Sequence, residues 1–175
     1  MPRERLRKAI RDIPDFPKAG IVFKDITPVL KDPGLCKDIV NALYTPFSTT
    51  KIDAVIGIES RGFLFGMLLA QRLNVPFIPV RKAGRLPYKT IAYNYDLEYG
   101  SAIVEMHADA FSSGTSVLIH DDLLATGGTA IAAAELVKLL GGTVAGFSFI
   151  VELEALEGRK AVESYSEQVE SLICY

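Results

Sequence analysis

What this chain lacks narrows its function before any motif is read. Cysteine is scarce: Cys36 and Cys174 are the only two, with no metal-ligand spacing, which fits a reduced cytoplasmic setting rather than a disulfide or zinc scaffold. His107 and His120 are the only histidines; no second ligand is spaced for a metal, so both are read as structural. Long apolar runs are missing as well. The most notable, GFLFGMLLA (62–70), ends at Gln71 and is too short to span a bilayer. Arg3, Glu4, Arg5, Arg7 and Lys8 break up any apolar start, so neither a secretory leader nor a membrane partner is expected. Charge of one sign is not in excess either. A formal net charge of −2 argues against a whole-surface nucleic-acid binder.

Two common nucleotide-binding loops are also absent. No G-x-G-x-x-G occurs, so a dinucleotide fold lacks its fingerprint. GIESRGFL (57–64) has the glycine spacing of a Walker loop, but Phe63 and Leu64 stand where Lys and Ser/Thr belong. GRLPYKT (84–90) has the Lys-Thr pair without the second glycine.

What remains is one domain's worth of alternating strands and helices. The 175 residues are 49% hydrophobic, enough to bury a core. Leu6, Ala9, Ile10 and Ile13 recur at helical spacing, and Pro14 and Pro17 end that first helix. IDAVIGI (52–58) reads as a buried strand, followed by a loop at 59–62 and a helix through Leu73. VPFIPV (75–80) is a second strand whose two prolines favour an edge or strand-end setting. SAIVEMH (101–107) alternates like a half-exposed strand, and TVAGFSFIVEL (143–153) reads as another core strand. Such alternation implies an α/β domain with a mostly parallel sheet flanked by helices.

VLIHDDLLATGGTA (117–130) carries the most chemistry. Val117, Leu118 and Ile119 form an apolar run suited to a parallel strand buried on both faces. Asp121 and Asp122 follow at the strand's carboxyl end, where open α/β sheets place their ligands. Gly127 and Gly128 let the backbone turn tightly beside a ligand, Thr126 and Thr129 add hydroxyl donors, and IAAAELVKLL (131–140) favours a helix. Its start aims free N–H groups into the loop and makes an anion site. Carboxylates for hydroxyl groups beside amides for a phosphate suit a phosphorylated sugar. The plainer alternative is a strand-turn-helix whose acids are solvated and whose glycines serve the turn. Between Arg81 and Gly100 the pattern loosens, with Arg81, Lys82, Arg85 and Lys89 among glycine, proline and tyrosines. Such a segment is either a cationic lid that closes over an anionic leaving group or an exposed basic hairpin.

VLIHDDLLATGGT resembles the phosphoribosyl-diphosphate (PRPP) motif of the type I phosphoribosyltransferases. DFPKAGIVFKDITPVLKDP (15–33), ESRGFLFG (59–66), RKAGRLP (81–87), DLEYG (96–100) and VELEALEGR (151–159) extend the match along most of the chain, and GIVFKDITP and DLEYG point to its adenine-using branch. The resemblance implies the type I fold over 1–175, with an N-terminal helix and hood at 1–33 and a flexible catalytic loop at 81–100. It implies transfer of phosphoribose from PRPP to adenine with Mg²⁺ held mostly by substrate, and a homodimer. By the same token Asp121 and Asp122 bind the ribose diol, and Ala125, Thr126, Gly127, Gly128 and Thr129 bind the 5′-phosphate. Glu59, Ser60 and Arg61 form the pyrophosphate loop, with Glu59–Ser60 the candidate cis peptide. Many relatives carry Asp where Glu59 stands. Arg81, Lys82 and Arg85 belong to the lid, with Tyr99 helping it close. Val22, Phe23, Leu123 and Leu153 surround the base together with Arg61, and Glu98 handles its proton. A transferase for guanine or xanthine, or a PRPP-sensing regulator on the same fold, are the competing readings.

Overall fold

Two of the apolar runs become adjacent parallel strands, and the rest of the molecule is arranged around that pair. The structure is a computed structural model in which residues 2–97 and 100–175 are described. In chain order it comprises α1 (Pro2–Ala9), β1 (Arg11–Pro14), β2 (Val22–Asp25), α2 (Pro33–Tyr44), β3 (Ala54–Ile58), α3 (Gly62–Leu73), β4 (Phe77–Lys82), β5 (Thr90–Leu97) and β6 (Gly100–His107). Then follow β7 (Ser116–Leu124), α4 (Gly128–Leu139), β8 (Thr143–Glu152), α5 (Gly158–Glu163) and β9 (Val169–Cys174).

Seven strands form one sheet in the order β5-β6-β4-β3-β7-β8-β9. β4, β3, β7, β8 and β9 run parallel, while β6 joins antiparallel to β4 and β5. From β3 the chain passes through α3 to β4 on one side; from β7 it passes through α4 to β8 on the other. The two connections part between β3 and β7, so a crevice opens at the carboxyl ends of these neighbours.

Alternation along the central strands separates two cores. Ala54, Ile56, Ile58, Val117 and Ile119 pack with Ala132, Ala133, Leu136 and Val137 of α4. Val55 and Leu118 face the other way, towards Phe65 and Leu69 of α3 and Ile39 and Leu43 of α2. Burial on both faces is why these strands read as continuous apolar runs. Asp32 caps α2 by accepting from the Leu35 amide at 2.9 Å, with Pro33 at the first helical position.

Four expectations need correction. The first helix ends at Ala9 and Ile13 lies in β1, paired with Phe23 of β2; periodicity counted Ile13 into a helix, but its side chain serves a small two-stranded sheet. β4 is not an edge strand, because it lies between β3 and β6. It tolerates Pro79 because β6 pairs with it only at Arg81 and Lys82. Pro76 and Val80 turn their carbonyls to β3, so by alternation Pro79 turns its missing donor away from β3. The acids are inside β7 rather than at its end, since the strand continues to Leu124. Finally, much of the 81–100 segment is regular: β5 and β6 pair antiparallel over their whole length, and of its described residues only those between Lys82 and Thr90 lie outside the strands. No helix among the described residues is long and apolar enough to cross a membrane.

Candidate active site

Ile58, Glu59, Ser60, Arg61, Val80, Lys82, Tyr95, Val104, Asp121, Asp122, Leu123, Ala125 and Thr129 enclose a cavity of about 410 Å³ at the β3/β7 crevice. A smaller hollow of about 70 Å³ adjoins it, formed by Asp121, Leu123 and the backbone of the 125–130 turn. Most of the residues expected to bind a phosphorylated sugar are therefore brought together, in a lining drawn from five strands, two loops and the start of α4.

The carboxylate pair is asymmetric. Asp122 is buried and receives Arg61 Nε at 2.5 Å. Asp121 keeps some accessible surface, but its carboxyl lies against the start of α3, where a Cβ on Gly62 would come 2.8 Å from Oδ1. Its Oδ1 also accepts from the Asp122 amide at 2.8 Å. Enclosure, and then the neighbouring Asp122 carboxylate, push Asp121 well above the usual carboxylate range, with the Arg61 charge opposing. One acid is thus tied to a cation, while the other is enclosed beside a like charge.

The turn after β7 is a backbone cup. Gly127 adopts φ +87°, a conformation that disfavours residues with a Cβ, and α4 starts at Gly128 with its first amides free to face the turn. The cup is supported from behind by α5. A Cβ on Gly158 would sit 2.1 Å from the Ala125 carbonyl oxygen and 3.0 Å from the Gly127 nitrogen. Next to it, Arg159 holds Glu152 through Nε at 2.9 Å and Nη2 at 2.6 Å, and donates to the Val169 carbonyl at 2.7 Å. Glu152 is buried in this clamp, and although burial pulls its carboxyl up, Arg159 brings it below the ordinary value.

A second clamp sets the basic face. The Glu59–Ser60 peptide is cis, as the resemblance implies. The Glu59 carboxylate accepts from Arg81 Nε at 3.3 Å and from the Lys82 amide at 3.0 Å, and lies 3.6 Å from Arg85 Nη1. Burial alone would raise its pKa; the Lys82 amide and the Arg81 guanidinium bring it below the usual value. Glu105, buried on β6, accepts from the Arg85 and Leu86 amides at 2.9 and 3.0 Å and thereby shapes the turn after β4. Lys82 lines the cavity, whereas Arg81 and Arg85 are held behind it by Glu59.

The β1/β2 sheet reaches the site through one side chain. The Arg61 guanidinium stands 5.1 Å from the centre of the Phe23 ring while its Nε holds Asp122, so Arg61 links the N-terminal segment to the Asp121–Asp122 pair. Leu123 lines the cavity, but Val22 is 48% exposed, and Leu153 is not among the lining residues: it packs in the second core with its amide on the Leu124 carbonyl. Glu98 and Tyr99 lie outside the described residues. Sequence reasoning missed Tyr95, Glu105 and the Glu152–Arg159 clamp. An acid inside the alternating SAIVEMH strand was the available signal for Glu105, and Glu152 and Arg159 stand seven residues apart within VELEALEGR; Tyr95 meets Thr129 across 34 residues and left none.

An acid pair, a glycine turn with free amides and a basic wall meet at an α/β switch point, and the family model for the phosphoribosyl transferase domain matches residues 27–173. Its relatives narrow the class. The chain is 54% identical over 172 residues to the adenine phosphoribosyltransferase of Nitrosococcus oceani, covering 98% of this chain and 99% of that one. The crystal structure of the Rhodothermus marinus adenine phosphoribosyltransferase superposes with a TM-score of 0.94 at 50% identity, covering 99% of this chain and 98% of that one. The Saccharomyces cerevisiae enzyme, solved with adenine and an imino-altritol bisphosphate, gives 0.90 at 41% identity, covering 98% of each chain. The chain belongs to the adenine phosphoribosyltransferase family. The general domain match begins at Thr27 and leaves out the β1/β2 sheet, whereas the adenine relatives match across nearly the whole chain.

Proposed function

We propose that the protein transfers phosphoribose from PRPP to adenine, yielding AMP and pyrophosphate in purine salvage. The observation that carries this is the meeting of the Asp121–Asp122 pair, the glycine cup and Lys82 around one cavity. Asp121 and Asp122 hold the ribose 2′- and 3′-hydroxyls. Asp122, paired with Arg61, accepts from one hydroxyl, and Asp121 beside it takes the other. The amides of Ala125 to Thr129 grip the 5′-phosphate. N9 of adenine bonds to C1′ as the C1′–O bond to pyrophosphate breaks, with inversion through an oxocarbenium-like state. Glu59, Ser60 and Arg61, with Lys82, face the leaving pyrophosphate, and Arg81 and Arg85, pinned to Glu59, complete the basic lid beside them. Phe23, Val22, Leu123 and Leu153 surround the base, Glu98 accepts the proton that the ring sheds, and Tyr99 helps close the lid.

Magnesium fits this donor set, because the Asp121 and Asp122 carboxylates are hard oxygen ligands and substrate oxygens and water can complete the coordination. When bound, it supplies charge neutralisation on the diphosphate. The protein works in the cytoplasm as a homodimer, a state supported by the exposed Leu64, Met67 and Leu68 on α3. One assay tests the activity: AMP formation from adenine and PRPP, with and without Mg²⁺, beside guanine and xanthine. Adenine turnover that depends on Mg²⁺ is expected; turnover of guanine or xanthine alone, or PRPP binding without pyrophosphate release, would overturn it. A Glu98→Gln variant with near-normal turnover would remove the proton assignment.

A further inference from the structure

One pair of hydroxyls bridges the β5/β6 hairpin and the glycine cup. Tyr95 Oη lies 3.2 Å from Thr129 Oγ1, and both residues line the main cavity while Thr129 also lines the hollow of the cup. Among the described residues no other side-chain hydrogen bond joins the hairpin to the 125–130 turn. The Tyr95 ring is packed against the core beneath α4, so its hydroxyl is delivered from a fixed position.

A hydroxyl carries one proton and two lone pairs, whereas a phosphate dianion only accepts. If Thr129 gives its proton to a phosphate in the cup, its oxygen can still accept. Tyr95 then becomes the donor, and the two bonds polarise each other in one direction. We propose that Tyr95 is a positioning residue for PRPP: its hydroxyl orients the Thr129 proton onto the 5′-phosphate and ties occupancy of the cup to the seating of β5. The idea rests on the phosphoribosyl reading of that cup. It also gives the phosphate end a route to the base end, because β5 leads directly into the DLEYG segment that carries Glu98.

Tyr95→Phe keeps the ring and removes only the hydroxyl. The expected result is a KM for PRPP raised about fivefold, the effect of one hydrogen bond between neutral groups, with the adenine KM and the melting temperature unchanged. Thr129→Val should raise the same KM, and the double variant should match Thr129→Val alone because the two hydroxyls act in series. Tyr93→Phe, two residues back on the same strand, is the control and should change nothing. Calorimetry with AMP and adenosine separates this proposal from the reading beneath it. If the wild-type protein binds AMP no more tightly than adenosine, the phosphate cup itself is wrong. If it prefers AMP and Tyr95→Phe keeps that preference in full, only the Tyr95 role falls. Additive losses in the double variant, or equal weakening of AMP and adenosine, would overturn it as well.

Discussion

The phosphate cup and the basic hairpin face each other across one cavity and are held in different ways. The cup is contiguous: Ala125 to Thr129 follow β7 directly, and its geometry comes from glycine backbone and the start of α4. The hairpin side is assembled at long range. Glu59 on the β3 loop grips Arg81 and Arg85 more than twenty residues away, and Glu105 on β6 shapes the turn that β4 enters. A cup of amides needs a rigid back wall, whereas a row of cations needs carboxylates that pin the arms without neutralising the lysine left facing the cavity. The same buried acid chemistry therefore serves two ends: Glu152 stabilises the wall through Arg159, and Glu59 aims the cations.

Removing the wall should have the largest effect. Arg159→Leu leaves Glu152 buried without its partner and should cost about 3 kcal/mol. For a chain of this size that lowers the melting point by roughly 6–12 °C, and PRPP affinity should fall with it because Gly158 presses on the cup. An unchanged melting curve would show that the cup supports itself. Glu59→Gln should act more selectively. Losing the charged acceptor releases Arg81 and Arg85, so kcat/KM for PRPP should drop about tenfold, equivalent to roughly 1.4 kcal/mol. Affinity for AMP, which lacks the pyrophosphate, should change little; an equal loss for both ligands would erase the division between cup and hairpin.

Acid sharpens the comparison with a smaller effect. His120, fully buried on β7 with Nδ1 3.2 Å from Ser148 Oγ, has its pKa lowered from 6.5 to about 4 because burial disfavours the charged ring. A depressed folded value means that the unfolded chain takes up the proton first. The stability from the neutral ring is present above about pH 6.5 and is lost as pH falls towards 4. Between about pH 7 and 5.5 the loss should be roughly 1 kcal/mol, visible in denaturant titrations and flattened in His120→Gln. Glu59 and Glu105 also have lowered values, but from an ordinary 4.5, so their contribution fades only at lower pH. Acid should therefore weaken the strand that carries the diol acids before it loosens the hairpin.

Legibility in the sequence follows the same division. The acids, the glycine turn and the start of α4 sit within fourteen consecutive residues, 117–130, so local rules for strands, turns and helix starts could read them together. The Arg61–Asp122 pair joins the loop after β3 to strand β7, and nothing in either segment alone announces it. Ile13 misled because an apolar residue at helical spacing also suits a short strand. Pro79 misled because four of the six β4 residues lack a neighbour on one side, which a single sequence does not reveal.

By itself the chain determined its parallel α/β class, the position of the sugar-phosphate motif and the resemblance to a family, because each rests on periodicity or on neighbours in sequence. Only the tertiary structure decided which acid is paired with Arg61, which cations Glu59 withholds from the cavity, and that Tyr95 meets Thr129. Those are matters of distance and enclosure between segments far apart along the backbone. They depend on how strands stack into one sheet, which no local pattern encodes.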